Sequence, residues 1–268
     1  MANQSNIIYP PTSTSNPSFA RHDSLLTVGD LKTRYLHGVS IKDNFGNDLP
    51  ESAYQSYIFT AISNFEHEFG VTINPTTFEE EHDYNINEYQ NYGFMQLRWK
   101  PIISVEFVKV QYIKNNTLLQ YPDDWLRIYR EPAQIHITPT SGAISSFSLD
   151  GSGFLPQIFG IKRRYPQLFL VKYTAGFEDN KIPWLINRYI GLKAAIDALN
   201  IAGDLILGAG IASQSLSIDG LSQSIGSTSS ATNAGYGARI IQYLKEIESI
   251  TPVIRNFYTG LNFRVCWG

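Results

Sequence analysis

The spacing of apolar positions changes period twice along the chain. From about Ser52 to Phe69, the residues Tyr54, Ile58, Ala61, Ile62, Phe65 and Phe69 recur at steps of three and four. That is one face of an α-helix, and Gly70 supplies its stop. Upstream, Thr27-Val28-Gly29-Asp30 reads as a capping box with Asp in the reciprocal place. Leu31 and Tyr35 predict a short helix behind it. "KDNFGNDLPES" is a turn-rich connection between the two. After Gly70 the period shortens. Residues 71–176 carry β-branched and aromatic runs broken by Pro, Gly and Asn. "FMQLRW" alternates, and "KPIISVEFVKVQYI" sets Ile103, Val105 and Phe107 against Ser104, Glu106 and Val108. "IHITPTSGAI" and "LFLVKYTA" are further strands, which makes a β subdomain of roughly five to eight strands.

The helical period returns at Pro183, whose fixed φ and missing N–H suit a first helical turn. Leu185, Tyr189, Leu192, Ile196 and Leu199 follow at alternating steps of four and three. Residues 203–235, "GDLILGAGIASQSLSIDGLSQSIGSTSSATNAG", are rich in Gly, Ser, Ala and Asn and read as one long flexible loop. Connections beyond about 12–15 residues are usually functional or mobile. A last helix starts near Tyr236, with Ile240, Tyr243, Leu244, Ile247 and Ile254 on one face, and Pro252 is expected to kink or end it. The chain closes on the aromatic tail "YTGLNFRVCWG".

The expected fold is therefore α+β. A bundle of about four helices, two N-terminal and two C-terminal, takes an inserted antiparallel β subdomain. The boundaries read as an extended arm over 1–25, the bundle over 26–70 and 177–257, the insert over 71–176 and a tail over 258–268. The arm is polar and rich in Pro and Ser, so it lacks a core of its own. It is either pinned on a neighbour or a loose terminus.

Charge narrows the partners. Charged residues make up 17% of the chain, against about 25% in an average protein. There are 16 Tyr and 15 Phe, and interface cores favour aromatics and shed charge. The net charge of −3 argues against free nucleic acid as the main partner. The single cysteine, Cys266, has no partner within the chain, so a reducing compartment is expected. Residues 1–24 have neither a basic start nor an apolar stretch, so no secretory signal is expected. No run approaches the ~20 apolar residues of a membrane helix.

The search for chemistry nominates no catalytic residue, cofactor or metal. The five histidines (22, 37, 67, 82 and 136) are scattered. "FEHEFG" around His67 has no second His one turn on, so a solvated helix face is the reading. Glu79 to Asp83, "EEEHD", lacks calcium-loop spacing and reads as a solvated loop. "GDLILGAGIAS" lacks the Gly-Lys-Ser/Thr ending of a phosphate loop. There is no Gly-x-Ser-x-Gly elbow. Asp123-Asp124 are adjacent in a turn, and Lys162-Arg163-Arg164 reads as a solvated turn.

Four phrases in order carry a positive signal: "LTVGDLKTRY" (26–35), "SAYQSYIFTAISNFEHEFG", "KPIISVEFVKV" (100–110), and a strand end with Val171, Tyr173, Ala175, Gly176 and Phe177 running into Ile182-Pro183. Together they resemble the head–tail connector (adaptor) family of tailed bacteriophages over most of residues 26–200. The β insert is larger than in the smallest members, and a loop like "LSIDGLSQSIGS" before a final helix is shared with larger connectors. The resemblance implies a structural virion protein and not an enzyme. It implies a ring, typically of twelve copies, between capsid portal and tail, assembled in the host cytoplasm. Such a ring docks on the portal, extends the DNA channel without sequence-specific contacts, and gives the tail or further neck proteins a platform.

Two sets of residues are the expected contacts. Phe257, Tyr258, Phe263, Arg264 and Trp267 form a C-terminal anchor for the portal, since Trp, Tyr and Arg dominate hot spots; the alternative is that they cap the chain's own bundle. Leu205, Leu207, Ile211, Leu216, Ile218, Leu221 and Ile225 mark a loop that orders on assembly; the alternative is a mobile loop without contacts. A tail-associated module that binds carbohydrate or a host surface is the competing function, and a hydrolase with an unrecognised site is a third.

Overall fold

A computed structural model describes residues 19, 22–42, 45–85, 94–113, 116–138, 164–178, 181–207, 213–218, 221–226 and 236–259. Its architecture is α+β, with four α-helices and antiparallel sheets among the described residues. The chain forms two compact units. One is built on Phe69–Asp179 and the end of the chain from Arg255; the other on Pro17–Glu68 and Asn180–Ile254.

The second unit is mainly helical. Helix α1 (Val28–Asp30) starts at the capping box that the sequence spells: Asp30 N donates to Thr27 Oγ1 at 3.1 Å and Thr27 N donates to Asp30 Oδ2 at 3.3 Å. It runs on as a wider π-type turn, Leu31–Tyr35, in which Leu36 N reaches back to Leu31 O at 3.1 Å. Helix α2 (Glu51–Phe69) buries all six predicted apolar residues. A short strand β1 (His22–Asp23) pairs antiparallel with β9 (Ile182–Pro183). Pro183 thus sits in a strand, and helix α3 begins at the next residue (Trp184–Leu207). A two-residue ribbon tolerates a residue that cannot donate.

Helix α3 is buried on more than one stripe. Ile186, Tyr189, Ile190, Leu192, Ala194, Ala195, Ala198 and Leu199 are each no more than 1% exposed. Its alanines and Gly191 let neighbours approach closely. A Cβ on Gly191 would stand 2.3 Å from Tyr35 Cζ. Helix α4 (Gly237–Thr259) buries Ile240, Ile247, Ile250 and Ile254. One expectation fails here. Leu244 is 46% exposed; at 100° per residue it lies roughly 80° from the centre of the buried set. Of the two outcomes expected of Pro252, a kink or an end, the helix does not end there, since α4 continues to Thr259. The carbonyl that Pro252 cannot satisfy belongs to Glu248, and both residues are exposed, so water is open to it.

The other unit is mainly β. A four-stranded antiparallel sheet follows the order β2 (Thr76–Asn85), β8 (Arg164–Ala175), β4 (Ile102–Ile113), β5 (Asn116–Gln120). A three-stranded sheet follows the order β3 (Met95–Gln96), β7 (Gln134–Ile137), β6 (Leu126–Tyr129). Tyr121, Trp125, Ile128, Ile135, Phe169, Val171 and Tyr173 belong to one buried cluster between them. The simple alternation expected of β4 is not what is buried. Ile102, Val105, Val108 and Val110 are buried, while Ile103 and Phe107 are not. Register shifts at Ile102/Ser104 and Val105/Phe107 explain this. Each extra residue moves the rest of the strand to the opposite face. "FMQLRW" supplies only the two residues of β3; "IHITPTSGAI" supplies the end of β7, and its residues from 139 on lie outside the described residues.

Residues 203–235 are not one structureless loop. Helix α3 extends through Leu207, and β10 (Ser213–Ile218) pairs antiparallel with β11 (Leu221–Gly226). Between them the sequence reads Asp219-Gly220, a strong two-residue hairpin signal. In these strands Ser, Gln and Gly dilute the β-branched signal that marks the others.

Candidate assembly surfaces

Two polar networks fix the two units internally. In the helical unit, Arg188 on α3 donates to both carboxylate oxygens of Glu246 on α4, at 2.6 and 2.8 Å. Such a fork-to-fork pair sets orientation as well as distance. The same guanidinium lies 5.0 Å from the centre of the Tyr35 ring. Tyr243 Oη donates to Tyr35 O at 2.7 Å, and Tyr189 Oη donates to Glu68 Oε2 at 2.6 Å. Burial pushes the Tyr35 phenol above its ordinary range, against the nearby Arg188 charge. These contacts tie α1, α3 and α4 together and aim no reactive group at a cleft.

In the β unit the acidic run Glu79 to Asp83 lies within strand β2, where a loop was expected. Pleating turns Glu80 inward and leaves Glu79 and Glu81 outside. Glu80 Oε1 accepts from Tyr173 Oη at 2.6 Å, and Glu80 Oε2 from Arg98 N at 3.2 Å, with His82 Nε2 3.1 Å away. Tyr173 Oη in turn accepts from Trp99 N at 3.0 Å. Burial pushes the Glu80 carboxyl up, but hydrogen bonds from His82, Tyr173 and the Arg98 backbone outweigh it and hold the group below its ordinary value. The Tyr173 phenol is pushed far up, by burial first and by Glu80 second. Phe78 stacks on Trp99 at 5.3 Å and covers the cluster. A saturated carboxylate of this kind positions the 98–99 segment. Asp83, four residues from Glu79, pairs with Arg164 at 2.9 Å, so that end of the basic run is ion-paired. Among the described residues no group of His, Cys, Asp and Glu is placed to hold a metal ion. His67 is exposed on α2.

Exposed apolar side chains mark the surfaces suited to partners. One shallow, uncharged face of α2 carries Ser52, Gln55, Ser56, Phe59, Ser63 and neighbours at helical spacing. Phe59 stands 66% exposed in the middle of it. Ile201 and Leu205 on α3, and Ile241 and Leu244 on α4, are also exposed. In the hairpin, Ser215 pairs with Ser224 and Ser217 with Ser222, while Leu216 pairs with Gln223 and Ile218 with Leu221.

The expected contact residues fall in three groups. Leu205 and Leu207 lie at the end of α3, and Leu216, Ile218, Leu221 and Ile225 lie in the paired strands β10 and β11. Ile211, Phe263, Arg264 and Trp267 lie outside the described residues. Phe257 and Tyr258 end helix α4, and Tyr258 is 2% exposed. Lys100 Nζ donates to Tyr258 O at 3.1 Å, and Phe177 meets the Tyr258 ring edge-on at 6.5 Å. A lysine on a C-terminal carbonyl is a favourable helix end. The Tyr258 ring is thus spent on packing within its own unit. The sequence does not single out Lys100, Arg188 or Glu80; their spacing to their partners is long-range and carries no local signature.

No family model matches the chain, and no curated protein matches it. Among solved structures it is similar to a chain of "Neck of empty GTA particle computed with C6 symmetry" and to one of "Virion of native gene transfer agent (GTA) particle". Each likeness has 15% identity and a TM-score of 0.38, over 69% of this chain and 81% of the other.

Proposed function

We propose that this chain is a structural subunit of the neck of a tailed-phage-like particle. In this reading it is a head–tail connector, not an enzyme. Copies form a ring, of about twelve by the family resemblance, that docks on the portal, prolongs the DNA channel and carries the tail. The observation that carries the reading is the meeting of two of its four telling phrases. Ile102 of "KPIISV" pairs with Ala175 of "VKYTAGF", and Gly176 N donates to Pro101 O at 2.9 Å. The other two phrases form the capped α1 and the fully sided α2. Resemblance that lands on joints of the fold is more telling than resemblance scattered over loops.

Physical chemistry supports the role. A ring needs head-to-tail surfaces on each copy, and α2, α3 and α4 each expose apolar side chains: Phe59, Ile201 and Leu205, and Ile241 and Leu244. A chain of net charge −3 carries no overall cationic excess with which to hold a DNA backbone. The C-terminal segment is the portal anchor. Lys100 and Tyr258 fix its root, and Phe263, Arg264 and Trp267 make the contact. Docking is tested by sedimenting the chain with purified portal, full-length and truncated after Thr259. The full chain should co-sediment and the truncated one should not, with equal circular dichroism. Equal co-sedimentation overturns the anchor. A full chain that ignores portal but binds a glycan array overturns the connector reading in favour of a receptor module.

A further inference from the structure

We propose that strands β10 and β11 join neighbouring copies edge to edge. The outer edge of β11 on one copy pairs antiparallel with the outer edge of β10 on the next, so that hairpins of successive copies build one continuous sheet. Closure of that sheet rests on the ring reading; the pairing itself does not.

Three observations lead there. First, β10 and β11 form a sheet of two strands, and no other strand among the described residues pairs with either. A lone hairpin is marginal in water, and three or more strands with an apolar face are needed for independent stability. Second, neither strand carries in its sequence a residue that blocks further pairing. Natural edge strands carry Lys, Pro, inward charges or bulges that block further pairing. These two strands contain only Ser, Gln, Leu, Ile and Gly, and their register runs without a shift from Ser213↔Gly226 to Ile218↔Leu221. Third, the strands repeat one another. Ser213-Gln214-Ser215 returns as Ser222-Gln223-Ser224. Within one chain the register sets serine opposite serine, and Leu216 opposite Gln223.

The occupant is set by the third point. The edge that β11 offers is complementary to a strand like β10, and β10 is what the next copy supplies. Repeating the in-chain register on the other side again sets serine opposite serine along the added pair. Such a contact uses two different edges of the same element, so it is heterologous and propagates around an axis. A foreign partner would have no reason to match both edges.

The test uses full-length chains carrying Cys266→Ser. One preparation has Ser215→Cys or Ser217→Cys, a second has Ser222→Cys or Ser224→Cys. They are mixed, oxidised and read on denaturing gels, with mass photometry beforehand to count assembled copies. Disulfides need Cα atoms within about 7 Å. At least one mixed pair should give a linked dimer at tenfold or more over either preparation alone, in which each strand meets only its unlike neighbour. Oligomers without a mixed dimer would overturn edge pairing and leave self-assembly standing. Dimers of equal yield in unmixed samples would show face-to-face packing and overturn it too. Monomers alone, without cross-links, both free and in the presence of isolated portal, would overturn both the pairing and the ring.

Discussion

Replacing Gly191 by alanine probes the packing on which the helical unit depends. A methyl group there would lie 2.3 Å from Tyr35 Cζ, 2.5 Å from Cε2 and 2.7 Å from Oη. Side-chain ends can often give way, but this one is held. Tyr35 is buried, its carbonyl accepts from Tyr243 Oη at 2.7 Å, and Arg188, fixed by Glu246, lies over its ring. Overpacking of a tight core costs about 1–3 kcal/mol. Alanine returns up to about 1 kcal/mol of helix propensity relative to glycine. The net expectation is a loss of about 1–2 kcal/mol, read as a lower urea midpoint with an unchanged slope. The double-mutant cycle supplies the control. In a Tyr35→Ala background the clash is gone, so Gly191→Ala should be neutral or stabilising, with a coupling of about 1–3 kcal/mol. A neutral or stabilising Gly191→Ala in the otherwise unchanged chain would refute the reasoning, as would additive singles.

Gly176→Ala should be the more damaging glycine substitution, because φ is +130° and the added carbon would lie 2.7 Å from the Asn74 carbonyl oxygen, which is backbone and cannot rotate away; a loss above about 2 kcal/mol is expected in urea unfolding of the full chain. Glu80 has its carboxyl held below the ordinary value of 4.5, so its contribution is complete above that pH and is lost as pH falls through the lower, folded value. Glu80→Gln should therefore cost about 1–3 kcal/mol at pH 7, and flatten the fall in stability between neutral and acid solution; an unchanged pH profile contradicts the assignment. Pro252→Ala restores an N–H to an exposed helical position and should raise the thermal midpoint, by up to about 3 kcal/mol of stability; a lower midpoint would show that the proline is needed for the course of α4.

Local signals survive into the structure where one residue's neighbours in sequence are also its neighbours in space. The capping box of Thr27 and Asp30, the single face of α2 and the buried Tyr189, Leu192 and Leu199 of α3 are of that kind. What is not legible depends on long-range pairing. The bulges of β4 are set against β8, far along the chain, and they break an alternation that looks regular in sequence. Glu80 looks like one more surface acid until Tyr173 and the 98–99 backbone meet it. Leu244 passes for core because a helical step of four from Ile240 is only approximate in phase. The hairpin is hidden by composition, although Asp219-Gly220 between two Ser-Gln-Ser runs is the available sign. For the assembly surfaces, the sequence points to Leu216, Ile218, Leu221 and Ile225 as one group, and the structure puts them in the paired strands β10 and β11 where one loop was expected.

The most direct test of the central claim, that this chain acts by assembling with copies of itself, is the mass distribution of the purified full-length protein alone and on isolated portal, paired with negative-stain images. The account predicts closed rings of one size, about twelve copies by the family resemblance. A single-copy species at every concentration, both free and in the presence of portal, would contradict it.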